Sequence, residues 1–178
     1  MTPANHPPSA RNRPEVGRAF GGRTGFLRWR TEKGVSREPN CVFCKIVAAE
    51  IPAAVVYEDD SILAFLDVGP LADGHLLVIP REHYAKLTDV PPAQCAQVAS
   101  ALPFLGRVVL QVTRAEGFNV LLNEGRVAGQ VVPHVHFHVI PRKTGDQLGY
   151  RWNAGKYPEG RAAELAAAYQ RAIAEYAP

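Results

Sequence analysis

Positions 134, 136 and 138 are histidines that alternate with Val135, Phe137 and Val139 inside the run "GQVVPHVHFHVIPR", residues 129–142. In a β-strand residues i and i+2 share a face, about 6.5–7 Å apart. The spacing predicts one row of three imidazoles, with the valines and the phenylalanine turned to the core. Three chemistries suit such a row. It can be a solvated polar edge on an open sheet face. It can be a metal site with the imidazoles as ligands. It can also be a phosphate site, where one imidazole attacks and its neighbours orient it or handle protons. The preceding loop "NEGRVAGQVV" brings Asn123, Gly125, Gly129 and Gln130, and so offers the amide donors and close backbone approach that suit an anion. No carboxylate stands in the row, and neither G-x-x-x-x-G-K-[ST] nor G-x-G-x-x-G occurs, so a phosphate would be bound without those cradles. Cys41 and Cys44 form a C-x-x-C, which in an intracellular protein favours a metal or redox role over a structural disulfide. Cys95 falls alone in a predicted helix and reads as core filler.

The elements that must position these groups follow from periodicity and punctuation. "CVFCKIVAAEI" predicts a helix of about two turns, stopped by Pro52. "AAVVYEDDSILAFLD" predicts two strands joined by a Glu-Asp-Asp turn, and "GHLLVIPREH" a third strand ended by Pro80. Pro91 and Pro92 open a long helix that ends at Gly117, with a kink expected at Pro103. "FNVLLNEG" and "HVHFHVIP" predict two more strands. Leu165, Tyr169, Ala172 and Tyr176 recur at helical spacing in a C-terminal helix. Five strands linked by hairpins and one long helix describe an α+β domain around a five-stranded antiparallel sheet.

The chain has 178 residues, which suits one domain with an appendage, and its formal charge is +3. That charge is unevenly placed. Residues 1–40 hold eight basic and three acidic residues, a net +5, while the 12 basic and 14 acidic residues beyond give −2. Residues 1–39 are rich in Pro, Arg and Gly without a sustained period, and are expected to form a disordered extension ahead of a domain spanning 40–178. An Arg-rich tail can also meet nucleic acid or an anionic membrane. No apolar run in the sequence approaches the roughly 20 residues of a membrane span, and no secretory leader is evident. The sequence reads as soluble, intracellular and cytoplasmic.

His134-Val135-His136-Phe137-His138-Val139 matches the H-φ-H-φ-H-φ signature, and the chain resembles the histidine triad (HIT) superfamily over residues 41–142, more than half its length. "CVFCKI", "IPAAVVYEDDSILAFLD", "GHLLVIPREH", "NEG" and "AGQVVPHVHFHVIPR" follow in the family's order. The resemblance implies a nucleotide hydrolase or nucleotidyltransferase that attacks the α-phosphate of a nucleoside phosphate derivative, a phosphoramidate or a dinucleoside polyphosphate. His136 would be the nucleophile of a covalent nucleotidyl-histidine, His138 a contact to the phosphate or leaving-group oxygen, and His75 a residue that orients the triad. Asn123, Gly129 and Gln130 match the phosphate loop, and Asp67 the carboxylate that takes the ribose hydroxyls. Val42, Phe43, Ile46, Ile51 and Phe65 match the slot for the base, with plain core packing an equal alternative. Where much of the family has Ser or Thr, this loop has Val131, which implies a preference for leaving groups of low pKa. Bacterial-type relatives complete a zinc site with the residues that stand here as His83 and His134 beside Cys41 and Cys44, so a structural Zn²⁺ and no catalytic metal are implied. A homodimer and a purine nucleotide substrate are implied too. A nucleotide-binding scaffold without catalysis and a zinc hydrolase with the triad as ligands are the alternatives.

Overall fold

The computed structural model describes residues 36–149 and 155–176. Predictions for residues 1–35, including the Arg-rich tail, lie outside them.

Five strands form one sheet in the order β1-β2-β3-β5-β4, every neighbouring pair antiparallel. They are β1 (Val55–Glu58), β2 (Ile62–Leu66), β3 (Leu76–Pro80), β4 (Gly117–Leu122) and β5 (Phe137–Arg142). The expected α+β sheet with a long helix and a C-terminal helix is what the chain forms. The alternation in β2 and β3 divides two cores. Leu63, Phe65, Leu77 and Ile79 face α1 (Val42–Val47), which inserts Phe43, Cys44 and Val47. Ile62, Ala64, Leu76 and Val78 face α2 (Pro92–Thr113), which inserts Val98, Leu105 and Val109. A strand buried on both faces needs such a continuous apolar run, and β3 is buried at every position.

Helix α1 is short because Ala49 turns left-handed at φ 57° and Pro52 follows. Helix α2 opens with Pro92 near its first turn, where a missing N–H costs nothing. It continues through Pro103 and stops at Arg114, which adopts φ 53°, three residues before the expected Gly117. That glycine instead begins β4, because pairing with Arg142 of β5 claims it. Gly106 lets α2 approach the sheet, since a Cβ there would lie 2.4 Å from the ring of Phe118. By length and composition α2, with a mean hydropathy of 1.4, is apolar enough to span a membrane. The sequence reading, which found no apolar run near that length, did not count this helix. Helix α3 (Arg161–Tyr176) presents Tyr169 and Ile173 to its surroundings.

Candidate active site and metal centre

The histidine row sits on the α1 face of the sheet; His134 and His136 are buried and His138 is half-buried. His134 is fully covered and His136 is 6% exposed. A row of solvated side chains does not fit the burial of His134 and His136. Only His138 lies within β5, however; His134 sits in a bend and His136 in the short unpaired stretch between that bend and the strand. The β3–β5 ladder ends at the Val78–Phe137 pair. Beyond it the partner is Pro80, which has no N–H to give, and its carbonyl is taken by the His134 ring at 2.9 Å. The backbone N–H of Val135 donates instead to Tyr84 O at 2.7 Å, which keeps the alternation.

The backbone fixes which nitrogen of each ring carries hydrogen. A carbonyl can only accept, so His134 Nε2–H donates to Pro80 O at 2.9 Å and leaves the Nδ1 lone pair free. That lone pair faces Cys41 Sγ at 3.5 Å and Cys44 Sγ at 3.7 Å, while His83 Nδ1 lies 3.3 Å from Cys44 Sγ. The four donor atoms lie within 4.8 Å of one another and can hold a metal ion. Two thiols and two imidazoles form a donor set that suits zinc, and tetrahedral bonds of about 2.0–2.3 Å would separate donors by about 3.3–3.8 Å. The Pro80 carbonyl supplies the outer hydrogen bond that metal-binding histidines require. Burial pushes the Cys44 thiol up to about 11, although the Glu38 N–H counters it. A thiolate there therefore calls for a cation. Burial also lowers the His134 imidazole to about 4, against the Pro80 hydrogen bond.

His136 is arranged differently. Its Nδ1–H donates to the His134 carbonyl at 2.6 Å, so its lone pair is on Nε2. The ring leans on the edge of Phe43 at 5.3 Å and on His138 at 5.0 Å. An imidazole with a bound Nδ1–H and a bare Nε2 can form a bond to an electrophile, because the positive charge it acquires is shared with a carbonyl. His138 lies against His75, with Nδ1 2.9 Å from His75 Nε2. His75 Nδ1 receives the backbone N–H of Leu71 at 3.2 Å, and Asp67 Oδ2 stands 3.6 Å from it. Burial lowers both imidazoles, His138 to about 4, and its neighbours His136 and His75 add to that effect.

The loop departs from expectation in how its donors are spent. Gly125 and Gly129 take φ of 82° and 93°, a conformation that only glycine adopts readily, on either side of a single turn of 3₁₀ helix at Arg126–Ala128. The N–H groups of Ala128, Gly129 and Gln130 turn back onto carbonyls of Gly125 and Arg126. The Gln130 amide accepts from Gly125 N–H and donates to Ala85 O and Val132 O. It braces the loop. Asn123 stands beside Gly129, and Val131 is 90% exposed. Phe43 and Phe65 are core residues packed edge to face at 5.5 Å, with half-buried Ile46 against them; Ile51 is half-buried and Val42 exposed. Asp67 follows β2 directly, with Oδ1 receiving Gly69 N–H at 2.9 Å. The sequence reading missed the Leu71 N–H and the carbonyls of Pro80 and His134, which carry no side-chain signal. It also missed Lys86 and Arg126, which line a cavity of about 570 Å³ with Gly129 and Val131.

A two-core α+β sheet with a row of three histidines, a relay from a fourth and a glycine-bounded loop defines a class, and residues 48–145 match the model of the HIT domain. The chain belongs to the HIT domain family. Among its relatives, an adenylylsulfatase from Arabidopsis thaliana, HINT3, is 45% identical over 109 residues, 61% of this chain and 55% of that one. The chain thus spans about half of that protein. The adenosine 5'-monophosphoramidase hnt1 of Schizosaccharomyces pombe is 45% identical over 117 residues, 64% of this chain and 83% of that one. The crystal structure of a Zn-bound histidine triad family protein from Mycobacterium smegmatis matches with a TM-score of 0.60 and 38% identity, covering 75% of this chain and 97% of that one. Family membership and these relatives support nucleotide hydrolase activity at the level of the family.

Proposed function

We propose that the protein cleaves a nucleoside phosphate derivative at its α-phosphorus, with His136 Nε2 as nucleophile and a covalent nucleotidyl-histidine as intermediate. Water or another acceptor then releases the nucleoside monophosphate. The observation that carries this reading is the 2.6 Å bond from His136 Nδ1–H to the His134 carbonyl, which leaves Nε2 as the reacting atom. His138 binds the phosphate or leaving-group oxygen, His75 orients it, and Asp67 takes the ribose hydroxyls. Asn123, Gly129 and Val131 border the phosphate and Gln130 holds their loop. The base lies over Phe43, Ile46 and Phe65. Cys41, Cys44, His83 and His134 hold a structural zinc that ties α1 to the sheet, and the reaction itself uses no metal. The active form is a cytoplasmic homodimer, with residues 40–178 as its domain.

Mass spectrometry of the protein quenched during turnover of an adenylate substrate tests the reading. A nucleotidyl adduct on His136, absent in His136→Ala along with turnover, is expected. Nucleotide binding without adduct or turnover would establish a scaffold instead. Retained turnover in His136→Ala would overturn the assignment.

A further inference from the structure

The loop that carries Asn123, Gly129 and Gln130 is gripped at its two ends. Between its pivots, Gly125 and Gly129, the turn Arg126–Ala128 stands in solvent with all three residues exposed. Both ends meet one segment, residues 84–88, which lies between β3 and α2. At the far end the Gln130 amide donates to Ala85 O at 2.8 Å and accepts from Gly125 N–H at 2.8 Å. At the near end Thr88 takes both oxygens of Glu124. Its backbone N–H donates to Oε2 at 3.1 Å and its hydroxyl to Oε1 at 3.0 Å. The segment is itself anchored. Tyr84 Oη donates to Gln94 Oε1 of α2 at 2.8 Å, and Tyr84 O receives the N–H of Val135, the residue before His136. The cavity of about 570 Å³ is lined by Ala85 and Lys86 from the segment and by Gly125, Gly129 and Gln130 from the loop.

Glu124 stands between Asn123 and the Gly125 pivot, an awkward place for a carboxylate beside a loop suited to phosphate. The Thr88 N–H, with the Thr88 hydroxyl, the Leu87 N–H and Lys86 behind it, holds this carboxyl below its ordinary value against its desolvation. The group therefore stays anionic, and the hydrogen bonds govern where its charge sits. Resting on the function proposed above, we infer that Thr88 and Glu124 form a clamp that positions the phosphate loop. Thr88 keeps the Glu124 carboxylate off the α-phosphate and fixes the entry of the loop at Gly125. Both act through the loop, as positioning residues. A carboxylate released from Thr88 would repel the phosphate and loosen the pivot, so the clamp governs substrate binding more than the chemical step.

The test measures kcat and KM with an adenylate substrate, and the Kd of adenosine 5'-monophosphate by calorimetry. It uses the full chain, Thr88→Val, Thr88→Ser, and Thr88→Val combined with Glu124→Gln. Thr88→Val keeps the shape and the backbone N–H but loses the hydroxyl. Its KM and Kd are expected to rise about fivefold, the scale of one exposed charge-assisted hydrogen bond, with kcat within about twofold. The rise should shrink as ionic strength goes from about 0.05 to about 0.5 M, because salt screens the freed charge. Thr88→Ser, which restores the hydroxyl, should recover most of the loss, and Glu124→Gln, which removes the charge, should cancel it. Wild-type KM and Kd in Thr88→Val, a defect that persists with Glu124→Gln or ignores salt, or a fall in kcat that merely tracks the thermal midpoint would overturn the inference. Failure of the wild type to bind adenosine 5'-monophosphate or to turn over any adenylate would instead overturn the reading of function on which it rests.

Discussion

Phe43 joins the short helix to His136, the proposed nucleophile, and Phe43→Leu tests how much that contact matters. The substitution keeps most of the apolar bulk. It removes three edge-to-face contacts, to His136 at 5.3 Å, Phe65 at 5.5 Å and His134 at 5.8 Å. Such pairs contribute about 0.5–1.5 kcal/mol each beyond burial, and two of these partners are imidazoles, so the total expected loss is about 1 to 2 kcal/mol. In a domain of this size 1 kcal/mol moves the thermal midpoint by about 2–4 °C, so a fall of about 2–8 °C should appear by circular dichroism. The ring also packs on His136, the proposed nucleophile, and kcat should fall about tenfold at a temperature where the variant is fully folded. Phe43→Ala should cost more, about 3–5 kcal/mol, through the cavity it leaves. A Phe43→Leu protein with wild-type midpoint and wild-type kcat would refute the view that this ring braces the site.

Acid should destabilise the fold through His75 and His138. An unfolded imidazole takes its proton near pH 6.5, whereas His138, lowered first by burial and then by His136 and His75 against the pull of Asp67, takes one only near pH 4. The unfolded chain therefore binds more protons as pH falls from about 6.5 to 4, and stability declines across that window and levels off below it. Because His138 is half-buried, solvent screening should hold its share to about 1–2 kcal/mol; urea unfolding at pH 7.5 and pH 4.5 reads it, and equal midpoints would contradict the sign. Stripping bound metal with a strong chelator should lower stability on the order of 4 kcal/mol and expose Cys41 and Cys44 to thiol reagents. A chelated protein with an unmoved midpoint would deny the cluster a structural role.

Much of the site is written in residue types. The alternation of His134, His136 and His138, the pair Cys41 and Cys44, and His83 after Pro80 all carry side-chain chemistry, and the fold brings the two cysteines together with His83 and His134. What the sequence could not show is work done by the backbone. The Leu71 amide and the His134 and Pro80 carbonyls set the ring hydrogens, yet any residue supplies an amide and a carbonyl, and only the register of the chain aims them. The bonds of Gln130 were hidden for a similar reason. Its type suggests a ligand for phosphate, but the carbonyls of Ala85 and Val132 reach its amide first. The end of α2 shows local preference yielding to pairing, since Gly117 stops helices in general and here begins a strand opposite Arg142.

His134 belongs to two centres at once: its ring points into the thiol cluster, while its carbonyl holds the hydrogen of His136. Tuning one centre therefore disturbs the other, and the pair can be separated only by a change that spares the main chain. Cysteine at position 134 would still offer a ligand atom and the same carbonyl, so a protein engineer wishing to alter ion preference without touching turnover would begin there. His136→Ala, by contrast, takes away only the second imidazole and leaves the main chain that carries the His134 carbonyl in place.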